Sequence, residues 1–166
     1  QGIVFSCFIA FLLLFLLFPQ KKSFEIDFLD VGQGDGIYLC TGGGTSMFID
    51  GGSTDVKQVG KYRILPFLKA KGVSEISYWF VSHTDTDHVS GLKEVLVSGY
   101  RVEYLVFAKA VEKEAKTKEL AELARSHGTK VLYMQAGDTV RSKRAAMRCL
   151  YPKASDKAED VNDLCL

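Results

Sequence analysis

The chain has 166 residues, 47% hydrophobic and 25% charged, enough for one domain with a buried core. Its 21 Lys and Arg offset 20 Asp and Glu to a formal net charge of +1, so global charge gives no sign of a polyanion partner, and any nucleic-acid recognition must come from a local site. Four cysteines, Cys7, Cys40, Cys149 and Cys165, have neither CxxC spacing nor the density of a disulfide-stapled scaffold and are read as small apolar residues.

From Gly2 to Phe18 the sequence carries no charge. A helix of that length spans roughly 25 Å, close to a bilayer core. A signal peptide is the rival reading, but it should open with a basic region and end in small residues, whereas Pro19, Gln20, Lys21 and Lys22 follow here. Residues 1–22 are therefore expected to be a transmembrane helix and its flank, cut from a longer polytopic protein. Lys21 and Lys22 weakly favour a cytoplasmic C-terminal side.

The remainder, residues 23–166, reads as alternating strands and helices. Phe24 to Asp30 alternates as a strand, and Ile37 to Cys40 with Thr45 to Asp50 form a hairpin around Gly42, Gly43 and Gly44. Gly60 to Gly72 has Ile64, Leu65, Phe67 and Leu68 at helical spacing, with Pro66 expected to kink it if it falls beyond the first turn. Ile76 to Val81 is a buried strand, followed by a polar loop and a helix from about Ser90 to Val97. Val102 to Phe107, Glu112 to His127 and Lys130 to Met134 then read strand, helix, strand. Gly137 and Asp138 mark a turn, Ala145 to Tyr151 a last strand, and Lys153 to Asn162 a loop. Such alternation indicates an α/β fold.

The chemistry is concentrated at His83, Thr84, Asp85, Thr86, Asp87 and His88, which place four potential metal ligands within one short loop directly after a buried strand. In an extended loop His83, Asp85 and Asp87 project to one side, and a turn into the next helix brings His88 round. The alternative is a solvated turn in which Thr86 or Asp87 caps a helix. Capping needs one acceptor and does not explain a histidine at each end. Imidazole mixed with carboxylate suits Zn²⁺, Mn²⁺ or Fe²⁺, and more carboxylate shifts the balance toward Mn²⁺. Two such ions about 3.5–4 Å apart activate water and clamp the oxygens of a phosphodiester.

Three other features are weighed against bland readings. Gly32, Gly34 and Gly36 resemble a dinucleotide fingerprint, but a strand follows them where that motif needs a helix, so Asp30 to Asp35 is read as a turn packing beside the metal loop. His127 beside Gly128 is read as a structural residue at a helix end. The basic run from Arg141 to Arg148, including Lys143 and Arg144, is read as a solvated turn, with contact to a DNA backbone as the alternative.

HTDTDH resembles the HxHxDH signature of metallo-β-lactamase-fold hydrolases, with Asp85 where a second histidine usually stands. Together with DVGQGD (Asp30 to Asp35), IDGG (Ile49 to Gly52) and a late Asn162 and Asp163, it is similar to the C-terminal domain of ComEC-type competence proteins. That resemblance implies the N-terminal part of a metallo-β-lactamase αββα sandwich, a mixed sheet flanked by helices, truncated at its C-terminal end and preceded by one transmembrane helix. It implies two divalent ions, Zn²⁺ or Mn²⁺, with His83 and Asp85 on one and Asp87 and His88 on the other, the second half of the ligand set lying beyond Leu166. Asp87 would also orient the attacking water, while Asp50, Asp30 and Asp35 would stand behind the ligands and hold them by hydrogen bonds.

The function so implied is a nuclease-like phosphodiesterase domain for DNA uptake in competence, although this fragment alone is expected to be inactive. Its partners would be single-stranded DNA, the membrane and the remaining transmembrane channel part of the parent protein. The location would be the bacterial cytoplasmic membrane, with the domain on the extracytoplasmic side. Hydrolysis of another ester (a phosphorylcholine ester, lactone or thioester), or a non-catalytic DNA-binding or channel-gating module, are the alternatives.

Overall fold

The computed structural model describes residues 2–17, 23–142, 145–156 and 165–166. The uncharged N-terminal stretch forms helix α1 (Gly2–Leu17). Among the described residues no helix is long and apolar enough to cross a membrane.

Strands β1 (Glu25–Phe28), β2 (Gly36–Cys40) and β3 (Ser46–Asp50) form an antiparallel meander. The β2–β3 hairpin pairs Gly36 with Asp50 and Cys40 with Ser46, so the register brings the end of β3 beside the start of β2. From β3 onward the sheet becomes parallel through β4 (Glu75–Phe80), β5 (Arg101–Ala108) and β6 (Lys130–Met134), giving the order β1-β2-β3-β4-β5-β6. Parallel neighbours need helical crossovers. These are α2 (Leu65–Ala70), α3 (Thr86–Val97) and α4 (Ala115–Ser126).

Four differences from the sequence reading have local causes. The helix before β4 begins as a wide π turn over Gly60–Ile64 and becomes α2 at Leu65. Pro66 thus follows directly on that wide turn, in the first turn of α2. Helix α3 starts at Thr86, four residues earlier than expected, which draws Asp87 and His88 out of the loop and into the first helical turn. Residues Lys109–Val111 form a separate 3₁₀ turn, and α4 begins only after the extended Glu114. The expected last strand shortens to β8 (Ala146–Arg148), which pairs with β7 (Thr139–Arg141) in a small antiparallel sheet of its own.

One face of the main sheet packs against the helices, with Phe48, Trp79, Leu105 and Phe107 meeting Ile64, Leu68, Leu92 and Leu120. The Phe48 and Trp79 rings stack with centroids 4.4 Å apart. The opposite face gathers Met47, Phe80, Val106 and Met134 with Val140 and Cys149.

Helix α3 lies unusually close to the β3 end of the sheet because Gly91 has no side chain. A Cβ there would stand 2.3 Å from the Gly51 carbonyl oxygen and 2.8 Å from Ile64 Cδ1. Gly91→Ala is therefore expected to lower stability by about 1–3 kcal/mol through overpacking, read as a lower urea midpoint with an unchanged far-ultraviolet spectrum.

The Tyr100 hydroxyl donates to the Val73 carbonyl at 2.6 Å, tying the start of β5 to the segment before β4. Burial, reinforced by the Glu75 charge, pushes its pKa up to about 12. In the unfolded chain the phenol ionises near its ordinary value of about 10. Between these two values the folded state binds more protons than the unfolded state, so stability falls as pH rises. Tyr100→Phe is expected to make that alkaline loss shallower, as measured by urea midpoints at about pH 9 and about pH 11.

Candidate metal centre

The site forms where the C-terminal ends of the adjacent parallel strands β3 and β4 meet the start of α3. β3 ends at Asp50, whose backbone takes the left-handed conformation at φ 57°. Its carboxylate is 4% exposed and therefore needs partners. One oxygen, Oδ1, accepts the Ser82 N–H at 2.8 Å. The other accepts the Ser82 hydroxyl at 2.7 Å and lies 3.0 Å from His88 Nδ1. With Nδ1–H donating to this carboxylate, the His88 Nε2 lone pair is left for a metal.

The imidazole of His83 lies against that of His88, with centroids 3.7 Å apart and planes tilted by 47°. Ser82 Oγ is 3.0 Å from His83 Nδ1, so one serine touches both Asp50 and His83. His88 Nε2 is 3.6 Å from Asp87 Oδ2. His83, Asp87 and His88 each present a donor atom within 4.8 Å of the others. Two imidazoles and one carboxylate, with a buried acid fixing one ring, fit a divalent cation of borderline softness.

The other residues singled out in the sequence fall into three places. Asp35 and Asp50 form a second candidate group with His88, in which the exposed Asp35 carboxylate lies 3.8 Å from Nδ1. Asp85, the extended residue before α3, belongs to neither candidate group and receives Lys116 Nζ at 2.8 Å. The hydrogen bond and charge of Lys116 hold its carboxyl below the usual range, with weaker help from His83 and His88. Asp30 is exposed and belongs to neither candidate group.

The DVGQGD turn packs beside the ligand turn, as Asp35 N–H donates to the Asp87 carbonyl at 3.3 Å and Gly52 N–H donates to the Asp35 carbonyl at 3.3 Å. IDGG acquires a physical role here. A Cβ on Gly52 would stand 2.4 Å from the Thr86 carbonyl oxygen and 2.5 Å from the His88 nitrogen. Sequence reasoning missed Ser82, Lys116 and Cys165, whose Sγ is 3.7 Å from His83 Nδ1. Ser82 adjoins the motif and could have been found there, whereas nothing local marks the other two. His127 ends α4 with Nδ1 2.9 Å from the Leu123 carbonyl oxygen, in keeping with a structural role. Lys143, Arg144, Asn162 and Asp163 lie outside the described residues.

No family model matches the chain. It is 28% identical over 169 residues to ComE operon protein 3 of Bacillus subtilis (strain 168), a match covering 94% of the chain and 22% of that protein. It is 31% identical over 106 residues to Recombination protein 2 of Haemophilus influenzae, covering 63% of the chain and 13% of that protein. The chain therefore corresponds to less than a quarter of either relative's length. Among solved structures it superposes on a mutant metallo-β-lactamase from Cronobacter sakazakii with TM-score 0.50 at 16% identity, over 70% of the chain and 47% of that enzyme. The fold is thus of the metallo-β-lactamase type. The chain is thus similar in sequence to two competence proteins and in fold to a metallo-β-lactamase, which supports a ComEC-like domain of that fold.

Removing the Asp50 carboxylate strands the Ser82 N–H and frees the His88 ring. Asp50→Ala is expected to cost about 1–3 kcal/mol of stability in a chelator-treated sample and to weaken Mn²⁺ or Zn²⁺ binding by about 10- to 100-fold. Urea melts and titration calorimetry read the two effects separately, and an unchanged metal affinity would detach Asp50 from the site.

Proposed function

We propose that this chain is part of a nuclease-like phosphodiesterase domain that acts on single-stranded DNA during uptake, within a membrane protein of the ComEC type. The observation that carries the reading is the convergence of His83, Asp87 and His88 at the mouth of β4, with Asp50 gripping His88 from behind. The relatives supply the context of competence, and the metallo-β-lactamase fold supplies the precedent for hydrolysis.

In this reading His83, Asp87 and His88 hold a divalent ion, Zn²⁺ or Mn²⁺. A second ion would draw on Asp85 and on ligands from the continuation of the parent protein. When bound, such ions lower the pKa of water toward 7 and neutralise charge on a phosphodiester. Asp50 keeps the His88 Nδ1 proton in place and so fixes which nitrogen faces the ligand side. Asp87, in the first turn of α3, would orient the attacking water. Asp35 lies 3.8 Å from His88 Nδ1, the nitrogen that also meets Asp50.

Residues 1–22 are proposed as the anchor, with α1 supplying an uncharged helix. The proposed location is the bacterial cytoplasmic membrane with the domain outside, where incoming DNA arrives, next to the channel part of the same protein.

His83→Ala and Asp87→Ala test the reading in the intact protein. Each is expected to lower Mn²⁺-dependent cleavage of a single-stranded oligonucleotide by at least about 10²-fold. Cleavage that persists in both variants would sink it. Turnover of small phosphorylcholine, lactone or thioester substrates without DNA cleavage would move the site to another ester. DNA uptake that survives both changes would leave a binding or gating module.

A further inference from the structure

Asp85 gives one carboxylate oxygen to Lys116, and a metal drawing on the same group would weaken that ion pair. Its Oδ1 meets Lys116 Nζ at 2.8 Å, and Asp85 is not among the grouped His83, Asp87 and His88 donors. Lys116 also lines a recess of roughly 300 Å³ between the loop, α3 and α4, together with Thr84, Thr86, Ser90, Lys93 and Glu119 among others. Thr84 and Thr86 alternate in sequence with His83, Asp85 and Asp87, so the recess and the candidate metal site share one stretch of backbone.

The charged residues lining the recess are Lys93, Lys116 and Glu119, and Asp85 pairs with Lys116. Lys93 is held only loosely, 3.9 Å from an exposed Glu119, and Lys116 is held by Asp85. If Asp85 turns to a metal, its hold on Lys116 weakens. The recess then carries a net positive charge beside the Thr84 and Thr86 hydroxyls, which is the donor chemistry that takes a phosphate.

We propose that this recess is a phosphate subsite for the strand flanking the cleaved bond. Lys93 and Lys116 are its cations, and Lys116 exchanges Asp85 for the phosphate as the metal takes Asp85. The proposal rests on the phosphodiesterase reading above for its substrate class. It adds a positional role for two lysines and explains why the one ligand of the motif outside the cluster is paired as it is. Because one carboxylate is shared, metal and phosphate must favour each other's binding, and the linkage is reciprocal.

The test measures binding and not turnover. A phosphorothioate-linked oligothymidylate, which resists cleavage, is titrated against the full chain in detergent by fluorescence anisotropy, over a range of salt, with Mn²⁺ and with chelator. In Mn²⁺, Lys93→Ala and Lys116→Ala are each expected to weaken binding about 3- to 10-fold and to flatten the slope of log affinity against log salt by about 0.7, the value for one single-strand phosphate contact. Lys118→Ala, an exposed lysine on α4 outside the recess, is expected to leave both quantities unchanged. The loss caused by Lys116→Ala should shrink when Mn²⁺ is chelated, because Asp85 then returns to the lysine.

Equal losses in all three variants, or none in the two recess variants, would overturn the subsite. A Lys116→Ala loss of the same size with and without Mn²⁺ would overturn the exchange. Since no outcome depends on cleavage, a protein that binds in this pattern without hydrolysing DNA removes the proposed function and leaves the subsite standing. One that cleaves DNA yet ignores both lysines does the reverse.

Discussion

The site depends on a single buried carboxylate. Asp50 is out of water at the end of β3, and an unpaired acid there would cost several kcal/mol. Ser82 meets that demand twice, through its N–H and its hydroxyl, and His88 meets it once. The same contacts that satisfy the acid fix the exit of β4 and choose the tautomer of His88. Stability and preparation of the ligand set are therefore one interaction. The left-handed backbone at Asp50 is part of the arrangement, because it turns the chain into Gly51 and Gly52 directly beneath α3.

Sheet topology makes this possible. β3 and β4 run parallel and adjacent, so their C-terminal ends open on the same edge, where ligands of parallel α/β sheets gather. IDGG and HTDTDH are thereby brought together although thirty residues separate them. Glycines without side chains at positions 52 and 91 let one backbone approach another to a distance that a Cβ would forbid. The metal turn is consequently held by backbone contact from the DVGQGD and IDGG segments as well as by side chains.

Polar and apolar demands are divided across the sheet. Trp79, Phe48 and Leu92 bury the helix-side face, and the Trp79 indole N–H is satisfied by the Asp50 carbonyl, which links the largest core side chain to the site. On the other face Tyr78 and Tyr104 stack at 5.1 Å, while Ile49, Phe80, Met134 and Cys149 line an apolar recess that reaches Ser82. The metal turn thus sits at a seam between two apolar surfaces, where burial strengthens the Asp50–His88 contact.

The sequence alone determined which chemistry is present and on which element it sits. A run of apolar β-branched and aromatic residues marks β4, and four ligand-type side chains crowded directly after it need no long-range information to be noticed. Alternation of strand and helix was equally legible, because burial on one face leaves a period in the residues themselves. Other features were decided only in three dimensions. Asp50 meets His88 across 38 residues, and Asp85 meets Lys116 across 31, pairings set by which strands lie side by side and how far α3 extends. Helix α3 starts at Thr86, which separates Asp85 from Asp87, and packs through Gly91 against Gly51. No local pattern encodes that contact, because a glycine's role there is the space it leaves.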